Sequence, residues 1–209
     1  MKIVLYFTLY INSVIGFVHD LCVVGAGGGL GRELVYQATN ERNSTVLALT
    51  TSEKIYEPYR GDTYNDIETM PEYRSPLLTI DNYWKRIDYN YKALIICIGG
   101  APFEKDYSDT LTLKCLENLP STCKDVSIVS AYSVEDNNLE KFSVPFQIMS
   151  NFYLKDVYRS KRNQETMLKQ YNKTNIRKKC YKPRALSYGN TFLPSTTRMS
   201  LASEILDAI

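Results

Sequence analysis

The chain has 209 residues, of which 44% are hydrophobic, and this is enough to bury the core of a single globular domain. Charged residues make up 23% of the chain and nearly balance at a formal net charge of +2, so the composition lacks the basic signature of a nucleic-acid-binding protein. The five cysteines form no C-x-x-C pair and His19 is the one histidine, which leaves a metal site such as zinc with too few ligands.

Residues 1–18 form a hydrophobic segment with one charged residue, Lys2. A charged residue followed by an apolar run is typical of a signal peptide, so the segment predicts secretory-route or plastid targeting. The polar Asn12 and Ser13 interrupt the run, which is also too short for a stable transmembrane span. The alternative is an extra strand or helix packed on the domain of a cytoplasmic protein, because periodicity does not separate these cases. Residues 19–209 are predicted to form one domain.

A strand, a glycine turn and a helix are predicted at the start of this domain. Leu21–Val24 is a short apolar run closed by glycines, and the apolar residues of Leu30–Ala38 recur at helical spacing. Thr45–Leu49 is predicted to be the second strand. Two strands separated by one helix form a parallel crossover, which is right-handed in nearly all known cases.

The middle of the chain predicts an irregular stretch followed by two further strands. Residues 50–75 are polar and lack an amphipathic period, which predicts a long loop. Leu77–Ile80 is predicted to be the third strand and Asn82–Asp88 a short helix. Ala93–Ile98 is an uninterrupted apolar run, which is typical of a strand buried on both faces of a parallel sheet.

The rest of the chain continues the alternation of helix and strand. The predicted elements are a helix at Asp106–Asn118, a fifth strand at Val126–Val129, a long polar helix at Phe152–Tyr171, an extended segment at Asn175–Pro183 and an amphipathic helix at Leu201–Ile209. This alternation predicts an α/β fold with a doubly wound, mostly parallel sheet, in the three-layer αβα arrangement of a Rossmann-type domain.

The turn after the first strand is the strongest candidate for a binding site. Gly25, Gly28 and Gly31 have G-x-x-G-x-x-G spacing between a strand and a helix, the context of a dinucleotide-binding turn. Such a turn needs a residue free to take unusual φ, backbone without Cβ near the pyrophosphate, and the unpaired N–H groups of a helix N-terminus. The candidate cofactor-binding residues are Gly25, Ala26, Gly27, Gly28, Gly29, Leu30 and Gly31. The alternative is a glycine turn that only packs the helix on the strand.

The end of the second strand indicates which dinucleotide is bound. A carboxylate there binds a ribose diol, whereas basic or hydroxyl groups accommodate a 2′-phosphate. The candidates at this position are Thr50, Thr51, Ser52 and Lys54. Their side chains favour NADP(H), while Glu53 keeps NAD(H) open. Three more candidates follow the third and fourth strands: Asp81, which is placed to approach an adenine edge or to cap a helix, and the pair Gly99 and Gly100.

Five segments of the chain together carry a resemblance to a known family. They are Val23–Leu34, Ile95–Gly100, Ile128–Ser130, Lys161–Glu165 and Tyr181–Leu186. In these segments the chain resembles the atypical short-chain dehydrogenase/reductase family, in particular its NmrA-like, NAD(P)-binding branch of plastid and bacterial proteins. The resemblance covers residues 20–209 and is most specific at the glycine turn.

The resemblance also implies candidate catalytic residues. Family members have a serine at the end of the fifth strand and a lysine followed four residues later by a glutamate, and Ser130, Lys161 and Glu165 match these positions. Reductases of the wider family use a tyrosine as proton donor with a lysine four residues later. This chain departs from that pattern, because Tyr158 is followed by Lys161 at three residues and by Arg162 at four. Ser130, Tyr158 and Lys161 are therefore catalytic candidates with a degraded tyrosine–lysine pair, and the alternative is a solvated helix face.

Three functions remain open from the sequence. The first is a redox-responsive binding or regulatory protein, in which NADP(H) alters a surface for a protein partner. The second is a small NADPH-dependent reductase, in which Tyr158 or the substrate supplies the proton while Ser130 and Lys161 orient a carbonyl. The third is an assembly factor with a vestigial cofactor site. Resemblance to a family supports the fold better than it supports a reaction.

Overall fold

The structure is a computed structural model that describes most of the chain from Val18 onward. The described residues are 18–50, 68–69, 90–99, 108–134, 143–183, 186–187 and 196–209. The predicted third strand at Leu77–Ile80 and the predicted short helix at Asn82–Asp88 lie outside them.

Six strands form the main sheet. They are β1 (Val18–Val24), β2 (Val46–Thr50), β3 (Glu68–Thr69), β4 (Asn90–Ile96), β5 (Asp125–Val129) and β6 (Arg177–Tyr181). The order across the sheet is β3-β2-β1-β4-β5-β6, and every neighbouring pair is parallel. A separate parallel pair joins β7 (Leu186–Ser187) to β8 (Thr196–Thr197). In open α/β sheets the ligand binds outside the carboxyl ends of the strands, where the strand order reverses, and here that point lies between β1 and β4.

The helices of the described residues alternate with these strands. They are α1 (Gly29–Tyr36), extended by a π-helical turn at Gln37–Glu41, then α2 (Ser108–Glu117), α3 (Val144–Tyr153), α4 (Lys155–Gln170) and α5 (Arg198–Asp207), with a 3₁₀ turn at Tyr132–Val134. None of the helices in these parts of the chain is both long and apolar enough to cross a membrane.

Helices cover both faces of the sheet. Side chains alternate between the two faces along each strand, so neighbouring strand residues pack against different helices. Cys22 of β1 belongs to a core cluster that also contains Leu111 of α2 and Leu168 of α4. Its neighbour Val23 belongs to the opposite cluster, with Leu34 of α1 and Ile205 of α5. The sheet therefore lies between two helical layers, and the predicted doubly wound α/β class is confirmed.

The first strand begins earlier than the sequence indicates. Val18 pairs with Asn90, so it belongs to the sheet and not to the hydrophobic segment that precedes it. The polar Asp20 hides this part of the strand from an apolar pattern, but its carboxylate has hydrogen-bond partners near the amino ends of the neighbouring strands. It accepts hydrogen bonds from Thr45 Oγ1 at 2.8 Å and from Lys92 Nζ at 2.6 Å.

Two further predictions were wrong in their details. The stretch 50–75 was expected to be a loop, yet it contains β3, which pairs with the end of β2. The long helix predicted at Phe152–Tyr171 corresponds to α4, but its first two residues end the separate helix α3, and Leu154 lies between the two helices with φ −111° and ψ 5°.

Candidate functional site

The glycine turn lies at the carboxyl edge of the sheet, between β1 and α1. Gly25 has a φ of +89°, which L side chains rarely adopt, and a Cβ built on it would lie 2.7 Å from Cγ2 of Ile98. A Cβ built on Gly31 would lie 2.2 Å from the carbonyl oxygen of Gly25 and 2.7 Å from Cα of Ala26. Gly25 therefore requires glycine because of its backbone conformation and its closeness to Ile98, and Gly31 requires it because α1 packs directly against the backbone that leaves β1.

Backbone hydrogen bonds fix the shape of this turn. The N–H groups of Gly25 and Ala26 donate to the carbonyl oxygen of Leu49 in β2, at 2.9 and 3.1 Å, and the N–H of Gly28 donates to Gly25 at 3.0 Å. Gly28 is the N-cap of α1 and no side chain caps the helix there. The first N–H groups of a helix have no acceptor within it and lie at the positive end of its dipole. This end of α1 can therefore bind an anion such as a phosphate.

The other cofactor candidates are only partly within the described residues. Thr50 is the last residue of β2 and is 3% exposed, and Gly99 follows β4 by three residues. The candidates outside the described residues are Thr51, Ser52, Lys54, Asp81 and Gly100.

Lys161 is buried at the carboxyl ends of β4 and β5. Its ammonium group donates to the carbonyl oxygen of Ile98, and to that of Val129 at 2.8 Å. A buried ammonium group is costly unless its protons are bonded, and these carbonyl groups supply the partners. Gly99 lies next to it, since a Cβ there would be in ordinary van der Waals contact with Cε of Lys161, at 3.4 Å. The lysine thus places a positive charge beside the point where the strand order reverses.

Ser130, Glu165 and Lys182 form a hydrogen-bonded chain next to this lysine. Ser130 Oγ donates to Glu165 Oε1 at 2.5 Å, and Lys182 Nζ forms a salt bridge with Glu165 Oε2 at 2.8 Å. The N–H of Ser130 donates to the carbonyl oxygen of Tyr181, which ties the end of β5 to β6. The role of Lys182 was not predicted from the sequence. A buried glutamate such as Glu165 needs a cation as a partner, and this requirement is the signal that could have pointed to Lys182.

Tyr158 is also buried, but it does not join this chain. Its hydroxyl accepts a hydrogen bond from Ser133 Oγ at 2.9 Å, within the 3₁₀ turn after β5. Ser130 bonds Glu165 instead, so the three catalytic candidates form no Ser–Tyr–Lys chain in the described residues. The alternative of a solvated face is wrong for Tyr158 and Lys161, which are 8% and 9% exposed, whereas Arg162 is exposed.

Cys97 lies between the glycine turn and Lys161, and its thiol is a hydrogen-bond donor. Burial raises the pKa of the thiol to about 12, against a smaller lowering by the charge of Lys161. The thiol stays protonated at neutral pH and donates to the carbonyl oxygen of Val24 at 3.2 Å. Its contribution is to join the ends of β1 and β4.

An open groove of about 760 Å³ lies away from this site, lined by Gln37 and Glu41 together with residues of α5 and of its two ends. These two residues follow the last turn of α1, so the helix length of about 12 Å separates them from the glycine turn. In the part of the chain that the structure describes, no group of His, Cys, Asp and Glu side chains could hold a metal ion.

Comparison with known proteins places the fold but not a family. No protein-family model matches the chain, and no curated protein matches it. Solved structures do match. ChuY, described as an anaerobillin reductase from Escherichia coli, has a TM-score of 0.59 at 14% identity, over 90% of this chain and 89% of that one. A short-chain dehydrogenase/reductase from Veillonella parvula, in complex with NADP, has a TM-score of 0.62 at 10% identity, over 90% of this chain and 86% of that one.

A third similar structure is a Rossmann-fold NAD(P)-binding family protein from Shigella flexneri, with a TM-score of 0.57 at 14% identity, over 90% of this chain and 85% of that one. Identities this low establish likeness of fold and no more. By strand order, glycine turn and structural likeness, the chain has the Rossmann fold.

Proposed function

We propose that the chain binds a nicotinamide dinucleotide at the glycine turn, with the pyrophosphate on the N-terminal amides of α1. The observation that carries this proposal is the close packing of Gly31 on Gly25, where a Cβ would lie 2.2 Å from a backbone oxygen. This packing draws the start of the helix against the end of β1 and leaves uncapped amides at the sheet edge, which is the geometry that a pyrophosphate needs. The NADP complex of the Veillonella parvula protein supports the same assignment.

NADP(H) is the preferred cofactor in this proposal. Thr50 ends β2, and the hydroxyl and amino groups of Thr51, Ser52 and Lys54 follow it in the sequence. Arg32 adds a further positive charge in the first turn of α1. Its Nε is buried and has no hydrogen-bond acceptor in the part of the chain that the structure describes. A 2′-phosphate would supply a negatively charged acceptor for the Arg32 guanidinium, whereas a ribose diol carries no charge.

Lys161 and Ser130 would lie toward the nicotinamide end of the cofactor. We infer these positions because both residues lie at the carboxyl ends of β4 and β5, beside the point where the strand order reverses. When bound, the cofactor supplies hydride chemistry. The residues of this chain hold a positive charge there through Lys161 and hold the Ser130 hydroxyl through Glu165.

A small reductase of the NmrA-like branch is the first activity to test beyond binding. The burial of Tyr158 and Lys161 favours it, since a merely solvated face would leave them exposed. The description of ChuY as a reductase is compatible with it. The Tyr158 hydroxyl bonds Ser133 and not Ser130. In such a reductase the proton would come from Tyr158 or from the substrate. A redox-responsive regulatory protein would bind the cofactor without turnover.

Titration calorimetry with NADPH, NADP⁺, NADH and NAD⁺ tests the binding proposal. The wild type should bind NADPH in preference to NADH, and Gly28→Trp should lose binding because the indole occupies the place of the pyrophosphate. Leu113→Trp is the matched control, because Leu113 is exposed on α2 and should tolerate the same side chain. Equal binding by both variants would contradict the proposed site. Loss of NADPH absorbance with carbonyl or enone compounds would then separate turnover from binding alone.

A further inference from the structure

We propose that Ser130 acts as a hydrogen-bond acceptor toward the bound ligand and selects a ligand group that carries an N–H, with Glu165 as its positioning residue. This inference rests on the proposed function and deepens it, since it names the chemistry of the group that lies against the end of β5. It differs from the role expected from the sequence, in which Ser130 helps to orient a carbonyl.

The Ser130 hydroxyl has a single proton, and its direction decides what the residue can offer a ligand. A serine hydroxyl has one donor proton and two acceptor lone pairs. Its oxygen lies 2.5 Å from Glu165 Oε1, while Lys182 holds the other carboxylate oxygen at 2.8 Å. A carboxylate in a salt bridge has acceptor sites only, so Ser130 must donate in this pair. The proton of the hydroxyl is therefore committed to Glu165.

Burial makes this orientation hard to reverse. Ser130 is 5% exposed and Glu165 is 7% exposed. Hydrogen bonds to an ionised partner are shorter and stronger than neutral ones, and burial strengthens them further. If the hydroxyl turned its proton toward a ligand, a buried carboxylate oxygen would lose that partner. Lys182 cannot compensate easily, because its ammonium group already faces the other oxygen.

The backbone also fixes the position of the hydroxyl. The N–H of Ser130 donates to Tyr181 at 2.8 Å, and the neighbouring carbonyl of Val129 accepts from Lys161 at 2.8 Å. The residue is therefore held on both sides, between β6 and α4. What it can offer a ligand is a lone pair, and a lone pair binds an N–H and repels a carbonyl oxygen.

Such an N–H has two sources in a dinucleotide site. One is the carboxamide of the nicotinamide, and the other is a hydride acceptor with a ring N–H. Matched ligand pairs distinguish them. NADP⁺ is compared with its 3-acetylpyridine analogue, which replaces the amide N–H₂ by a methyl group. With NADPH bound, lumiflavin is compared with its N3-methyl derivative.

The experiment measures the affinity of each pair for wild type, Ser130→Ala, Glu165→Gln and the control Ser160→Ala. Ser160 is a buried serine of α4 that bonds Ser108 and lies outside the proposed site. In the wild type and the control, the ligand with the N–H should bind about tenfold more tightly in one of the two pairs, as expected for one hydrogen bond. Ser130→Ala should lose that preference. Glu165→Gln should weaken or reverse it, because its amide can donate to Ser130 and free the hydroxyl proton.

Equal affinity of the wild type for both members of both pairs, or a preference for the carbonyl-only ligand, would overturn the inference. A double-mutant cycle tests its premise without any ligand. The losses in thermal unfolding midpoint for Ser130→Ala and Glu165→Ala should not add in the double variant, because both substitutions break the Ser130–Glu165 hydrogen bond. Additive losses would refute the premise. Failure of the wild type to bind any dinucleotide would instead refute the proposed function, and the cycle would still decide the Ser130–Glu165 bond.

Discussion

The Gly31→Ala substitution places a methyl group where α1 meets the backbone of the turn. Its Cβ would lie 2.2 Å from the carbonyl oxygen of Gly25, 2.7 Å from Cα of Ala26 and 2.9 Å from the carbonyl carbon of Gly25. All of these atoms belong to the backbone, so no side-chain rotation relieves the contact and the helix must move away from β1. Overpacking of this kind costs up to about 3 kcal/mol. Alanine regains about 1 kcal/mol of helix propensity, which leaves a net loss of about 2 kcal/mol.

Urea unfolding followed by circular dichroism measures this loss, which corresponds to a fall of about 4–8 °C in melting temperature for a chain of this length. Gly28→Ala is the matched control in the same turn, because its Cβ would meet one atom, Gly25 O, at 3.3 Å. The control should lose less than about 1 kcal/mol, since a shift of a few tenths of an ångström relieves that contact. A Gly31→Ala variant as stable as the Gly28→Ala variant would refute the argument that close packing, and not flexibility, requires Gly31.

Three further predictions concern stability. Tyr91→Phe should stabilise the fold by about 1 kcal/mol in urea unfolding, because the hydroxyl of Tyr91 is buried without a partner in the described part of the chain. Gln164→Met should also stabilise it, by about 1–3 kcal/mol, since neither amide atom of Gln164 has a partner there, and a loss of stability would contradict this reading. Hydrogen bonds from Lys92 and Thr45 lower the pKa of Asp20 from 3.8 to about 2. Because the folded-state pKa is lowered, the stabilisation is present above about pH 4 and is lost as the pH falls toward 2, and Asp20→Asn should remove that part of an acid unfolding curve.

The alternation of strands and helices was predictable because apolar runs and glycines mark it directly. Ala93–Ile98 had to be buried on both faces, and it forms most of the central strand β4. The spacing of the glycines predicted the turn, since a tight connection between a strand and a helix requires them. The short β3 was missed because the two residues Glu68 and Thr69 carry no alternating pattern.

The contacts of α4 could not be read from local sequence. Its composition is polar, and polar residues at helical spacing usually predict a solvated face. Lys161 is buried because it bonds carbonyl groups 63 and 32 positions earlier in the chain, which only the parallel sheet brings together. Glu165 is buried because Lys182 and Ser130 converge on it from β6 and β5. Such burial depends on tertiary partners, and periodicity holds no information about them.

The thermal unfolding midpoint of the chain, measured with NADPH, NADP⁺, NADH and NAD⁺ in separate titrations, tests the central claim most directly. A ligand that binds only the folded state stabilises it by about 2.7 kcal/mol at a hundred times its dissociation constant, or about 5–11 °C for a chain of this length. We expect a saturable rise with NADPH, a smaller rise with NADH, and no rise in Gly28→Trp. An unchanged midpoint with all four dinucleotides would contradict dinucleotide binding at the glycine turn.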